Sequence, residues 1–154
     1  MEILVNIDVP DLQRGIDFYT AGLGLTIRRE FGGGMVELAG AGSAIFLLEK
    51  AEGTRPLPGD PAAVRTYRRH WCPVHLDFVV PDVHAAVERA VAAGAVAERP
   101  PKADTWGWLA LMSDPFGNGF CLVQYLNRGY DEIATSAPQT LLTARHDSGE
   151  GPPP

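Results

Sequence analysis

Two stretches of the chain alternate apolar and polar residues and are each followed by a run of helical spacing. Val5, Ile7 and Val9 alternate with Asn6 and Asp8, the period of a strand with one covered face. Pro10 suits a strand end, having no N–H to donate. Asp11 is placed to cap a helix that carries Leu12, Ile16, Tyr19 and Leu23 on one face. The second stretch repeats this order. Leu76 and Phe78 alternate with His75 and Asp77, Val80-Pro81-Asp82 echoes Val9-Pro10-Asp11, and Val83, Ala86, Val87, Ala90 and Val91 form the next helix face. Gly94 is placed as its C-terminal stop.

Three further strands are predicted after each helix. In the first half they cover 25–31, 35–39 and 44–49, separated by glycine clusters. In the second they cover 96–100, 106–113 and 120–125, the last two joined by the turn Asp114-Pro115-Phe116-Gly117-Asn118. A strand–helix unit written twice is read as a repeat before any other assignment. The expected fold is α+β, with two βαβββ modules at 1–49 and 74–126 in pseudo-symmetric arrangement. A linker covers 50–73, and a C-terminal extension, partly disordered, covers 127–154. From Pro138 the tail has few core residues.

Composition narrows the function classes. At 154 residues the chain buries enough surface to need no staples, and 45% hydrophobic with 21% charged residues is ordinary for a soluble protein. A net charge of -6 disfavours nucleic acid as a partner. No apolar run is long enough to span a membrane, and the N-terminus lacks the pattern of a secretory signal. Two cysteines, Cys72 and Cys121, give no disulfide framework, so a reducing, cytoplasmic setting is expected. The triple glycine at 32–34 opens no helix and makes no phosphate cradle.

Val9-Pro10-Asp11-Leu12 with Phe18-Tyr19 and Leu23-Gly24-Leu25, then His75-Leu76-Asp77-Phe78, Val80-Pro81-Asp82-Val83 and Asp114-Pro115-Phe116-Gly117-Asn118 resemble the vicinal oxygen chelate superfamily. That superfamily includes glyoxalases, extradiol dioxygenases and bleomycin-resistance proteins. The resemblance spans about residues 3–126. It implies curled mixed sheets that form a cleft, a divalent metal on the cleft floor, and dimers. It also implies metal ligands from the first and last strands of each module, which here are Leu4, Phe46, His75 and Cys121. Leu4 and Phe46 cannot ligate, so the expected site is degenerate, with no metal, and His75 is the remaining anchor of an alternative metal-bound state.

Strand alternation then gives an expected lining. Asn6, Met35, Glu37, Phe46, Trp106, Trp108 and Cys121 are placed on the open faces, with His75 and Asp77. Trp106 and Trp108 are read either as a clamp for a planar ligand or as packing residues. Glu37, His75 and Asp77 are candidate acid–base groups or solvated side chains, and His75 and Asp77 stand close enough to touch. Linker residues Arg65, Arg68, Arg69 and His70 either reach a ligand or stay solvated.

Two function classes follow. One is a metal-free small-molecule-binding protein, similar to bleomycin-resistance proteins, that sequesters an aromatic or drug-like metabolite. The other is a lyase, isomerase or oxygenase that works with a metal at His75 or by metal-free acid–base chemistry. A homodimer with a small-molecule ligand is the expected assembly.

Overall fold

The structure is a computed structural model that describes residues 1–135 apart from 58 and 61. The tail from Pro138 lies outside the described residues. The first half runs β1 (Val5–Val9), α1 (Leu12–Asp17), β2 (Thr26–Phe31), β3 (Met35–Ala39) and β4 (Ile45–Glu49). The second runs β5 (Leu76–Val79), α2 (Val83–Ala92), β6 (Val96–Ala97), β7 (Lys102–Asp104), β8 (Gly107–Ser113) and β9 (Gly119–Tyr125).

The repeated Val-Pro-Asp does the same physical work twice. Asp11 accepts from the Arg14 amide at 2.9 Å and Asp82 from the Ala85 amide at 3.0 Å. Their backbones nearly coincide, at φ -143, ψ 113 and φ -143, ψ 110. Each aspartate thus satisfies a donor that the first helical turn leaves free. The first helix departs from its expected spacing at Phe18–Gly22, which forms a π-helical turn. The wider turn lets the consecutive rings of Phe18 and Tyr19 both enter the core, at 1% and 3% exposure.

The strand orders are β1-β4-β3-β2 and β5-β9-β8-β6, with β7 also paired to β8. In each half the first strand runs parallel to the last and the other pairings are antiparallel. Two expectations are corrected here. Neither sheet is curled or closed: each is an open ladder, and among the described residues no strand pairing joins one sheet to the other, so no cleft of curled sheets forms. The second half also has five strands rather than four. Pro100 and Pro101 supply no ladder donors, and the strand predicted at 96–100 gives way to the short pieces β6 and β7.

The core lies between the sheets and the helices of both halves. Val9, Leu38, Leu47, Val83, Ala90, Ala110 and Leu122 are all fully buried. Phe18 reaches across to Phe120, with ring centroids 6.2 Å apart. No helix among the described residues is long and apolar enough to cross a membrane.

Candidate functional site

The site is built on the second sheet. Phe78 packs on the core beside Phe120 and Leu122, and half-buried Leu76 pairs with Phe120, which directs the alternate positions His75 and Asp77 to the opposite, open face. The parallel β5–β9 register sets Cys121 beside Asp77. One donor atom each of His75, Asp77 and Cys121 then lies within 4.8 Å of the others. His75 Nε2 stands 3.2 Å from Asp77 Oδ1, the two side chains being 53% and 41% exposed, while Cys121 is buried. The expectation of too few donors counted only His75 and Cys121; Asp77 supplies a third, so this cluster could coordinate a metal ion. Burial first, and then the charge of Asp77, push the Cys121 thiol up to about 12. At neutral pH the free side chain is therefore a thiol. An imidazole, a carboxylate and a sulfur fit a borderline-soft divalent ion, whose own charge would favour the thiolate.

An aromatic cluster flanks these donors. Trp106 stands 4.7 Å from Tyr130 and 6.4 Å from Tyr125, and the two tyrosine rings are 5.0 Å apart. The Tyr130 hydroxyl is held above its usual 10.0 by burial first and then by Tyr125 and Asp77, which ties the rings electrostatically to the donor cluster. Trp108 is not part of this group. It packs on the core with Ala110 and Met112 and meets His84 of α2 at 4.9 Å. The alternation of β8 is thus opposite to the expected one, and Leu111, paired with Cys121, is on the open face. A cavity of about 380 Å³ runs along this face between His75, Cys121, Leu111, Arg69, Glu98 and the linker residue Cys72.

The corresponding places in the first sheet are apolar or neutralised. Asn6 pairs with Phe46 as Asp77 pairs with Cys121, and Leu4 precedes β1 as His75 precedes β5. Glu37, opposite Phe46, is 1% exposed, covered by Arg28 and Arg29, whose own side chains are about 60% exposed. A register shift between Ile27 and Arg29 brings both arginines to the one carboxylate. Arg28 Nη1 lies 3.2 Å from Glu37 Oε1, and Arg29 Nε bonds Oε2. The Arg29 hydrogen bond, above all, holds the Glu37 carboxyl below its usual 4.5. Met35 lines a separate groove with Phe31 and Leu12. The structure therefore brings His75, Asp77 and Cys121 together, sets Trp106 against Tyr125 and Tyr130, and leaves Glu37, Met35 and Phe46 on the other sheet.

Two features escaped the reading of the sequence. One is Asp114, 3% exposed, which accepts from the Phe116 and Asn118 amides, from Asn118 Nδ2, and from the Tyr19 hydroxyl at 2.9 Å. A turn signal was legible; the pairing with the other half had no local signature. The other is the linker, fastened by Arg65 to Asp8 at 2.7 Å, by Tyr67 to the Lys50 carbonyl at 2.6 Å and by Arg69 to Glu98. It roofs a second cavity of about 440 Å³ between β1 and β5, which Asn6 and His75 both line.

A family model of glyoxalase-like domains matches residues 4–123. No curated protein matches the chain. Among solved structures, a glyoxalase-related enzyme from Fulvimarina pelagi is 21% identical over 80% of this chain and 87% of its own, with a TM-score of 0.62. An antibiotic-binding protein from Streptomyces sp. CB03234 is 24% identical over 82% and 96%, with a TM-score of 0.57. A fosfomycin resistance protein from Listeria monocytogenes is 16% identical over 82% and 93%, with a TM-score of 0.61. At these identities the likeness is one of fold. With its ladder order, duplicated capped helices and family match over residues 4–123, the chain belongs to the glyoxalase-like domains of the vicinal oxygen chelate superfamily.

Proposed function

We propose that the open face of the second sheet is the working site of a lyase-, isomerase- or oxygenase-type enzyme in which His75, Asp77 and Cys121 hold a divalent metal. The observation that carries this reading is the convergence of three chemically compatible donor atoms within 4.8 Å, two of them on exposed side chains. Three protein ligands with an accessible side are the arrangement of catalytic rather than structural metal sites. A metal held there would act as a Lewis acid on a substrate oxygen. The remaining chemistry belongs to the chain. Arg99 lines the adjoining cavity and suits a substrate with an anionic or carbonyl oxygen. The rings of Trp106, Tyr125 and Tyr130 offer a wall for its apolar part. Without a metal, the His75–Asp77 pair at 3.2 Å remains an acid–base couple.

The same aromatic wall favours a second reading, metal-free sequestration of an aromatic metabolite. The related fold of an antibiotic-binding protein is consistent with it. Metal analysis of protein purified without chelator separates the two. One equivalent of zinc, iron, nickel or manganese, lost in His75→Ala, supports the enzyme. Metal-free protein that binds an aromatic compound without turnover, and loses it in Trp106→Ala, supports sequestration. A cytoplasmic homodimer is the assembly proposed with either reading, and sedimentation velocity tests the dimer.

A further inference from the structure

The donor cluster leaves one neighbour unused. Cys72 is an exposed thiol that lines the same cavity as His75 and Cys121. It precedes His75 by three positions in Cys72-Pro73-Val74-His75. Two intervening residues between ligands is the short spacing that recurs in tetrahedral zinc sites. The stretch 71–75 belongs to no helix or strand. The Cys72 sulfur stands outside the 4.8 Å group of the other three donors, and the three residue steps to His75, which span at most about 11 Å of extended chain, keep it within reach of them.

From this spacing and the shared cavity we infer that Cys72 is a fourth metal ligand. It completes with His75, Asp77 and Cys121 a tetrahedral site selective for a thiophilic divalent ion of the zinc and cadmium kind. This rests on the proposed metal site and names its metal class and its closing ligand. Two thiolates, an imidazole and a carboxylate disfavour magnesium, calcium and manganese, which prefer all-oxygen shells. Metal–ligand bonds of about 2.0–2.3 Å give ligand–ligand edges of roughly 3.3–3.8 Å. The three clustered donors, within 4.8 Å of each other, approach those edges with small rotamer adjustments. Glu98, which lines the same cavity, is not the fourth donor, because Arg69 already holds both of its oxygens. Each thiol gives up its proton to solvent as the ion binds. An ion held by all four side chains would have a full shell, and one held by His75, Asp77 and Cys121 alone would keep an open position.

The test uses the full chain kept reduced and titrated with Co2+, whose thiolate charge-transfer absorption reports sulfur ligands directly. Zn2+ affinity is then read by competition with a chromophoric chelator. One equivalent of Co2+ is expected to give an absorption that falls by about half in Cys72→Ser and in Cys121→Ser and vanishes when both are replaced. Zn2+ affinity in Cys72→Ser is expected to drop by more than the ~10–100-fold that loss of an outer-shell partner costs. Undiminished absorption and affinity in Cys72→Ser, with both lost in Cys121→Ser and His75→Ala, would overturn the role of Cys72 and leave the three-ligand site standing. A wild-type chain that takes up no Co2+ would overturn both.

Discussion

The Tyr19 hydroxyl makes the longest-range polar contact of the buried core, reaching Asp114 across the two halves. A phenol so enclosed loses its water, and its pKa is driven well above 10.0 by burial first and by Asp114 second. Tyr19→Phe removes the donor and keeps the ring. Asp114 retains Asn118 and two amides, so the expected loss is that of one hydrogen bond to a carboxylate, about 1.5–3 kcal/mol by urea denaturation. A loss below about 0.5 kcal/mol would show that this bond adds little to the hold between the halves. Glu37 offers a pH-dependent counterpart. Its carboxyl is held below its usual 4.5, chiefly by the Arg29 hydrogen bond. The stability it adds is therefore full above that value and is lost as pH falls through the lowered one. Glu37→Gln should melt below wild type at neutral pH, and the gap should narrow as pH falls below 4.5. A constant gap across that range would mean that the ion pair is not its source.

At the scale of elements, β8 decides how the open face is furnished. Gly107, at φ +156, follows Trp106, and a Cβ built there would lie 2.1 Å from the Gln124 carbonyl oxygen. Only glycine lets β8 approach β9 at this end, next to the bond from the Leu126 amide to the Trp106 carbonyl at 2.9 Å. Gly107→Ala should cost about 2–5 kcal/mol, from strain and overpacking together, and accelerate hydrogen exchange at the Leu126 amide. Unchanged exchange there would show that the strand end absorbs the side chain elsewhere. The same strand explains a limit of sequence reading. In β1, apolar Val5, Ile7 and Val9 alternate with polar Asn6 and Asp8, so the phase is unambiguous, and the core takes the apolar set as expected. In β8 both phases are apolar: Trp108, Ala110 and Met112 on one side, Leu109 and Leu111 on the other. Alternation then carries no information about which side is covered. The pairing of His75 with Asp77 was legible, since residues two apart share a strand face. The return of Tyr130 over that face was not, because the short 3-10 turn Gly129–Glu132 that carries it has no periodicity.

At the scale of the molecule, one ladder plan is furnished in two ways. The first strand runs parallel to the last in both halves, and the register sets Asn6 against Phe46 where the other half sets Asp77 against Cys121. The backbone thus offers two equivalent platforms. Side chains alone make one a donor cluster and the other an apolar surface, because Leu4, Asn6 and Phe46 stand where His75, Asp77 and Cys121 stand. If the proposed metal site depends on that placement and not on some further property of the second half, it should be transferable. A chain carrying Leu4→His, Asn6→Asp and Phe46→Cys should bind a second equivalent of Co2+. In the His75→Ala background the same three substitutions should restore one equivalent. Phe46 is only partly buried, so its truncation should cost less than the roughly 3–5 kcal/mol of a core phenylalanine, and the variant should stay folded. Glu37 is the element that could defeat the transfer. It sits opposite Phe46 as Leu111 sits opposite Cys121, and it draws Arg28 and Arg29 to that face. Two guanidinium charges would repel an incoming cation. Adding Arg28→Ala and Arg29→Ala should therefore strengthen the second site and free Glu37 as a further oxygen donor. A triple variant that folds and binds one equivalent at His75, with none gained even after the arginines are removed, would show that the cavity shared by Cys72 and Cys121 and the aromatic wall around Tyr130 are what make the second platform a site.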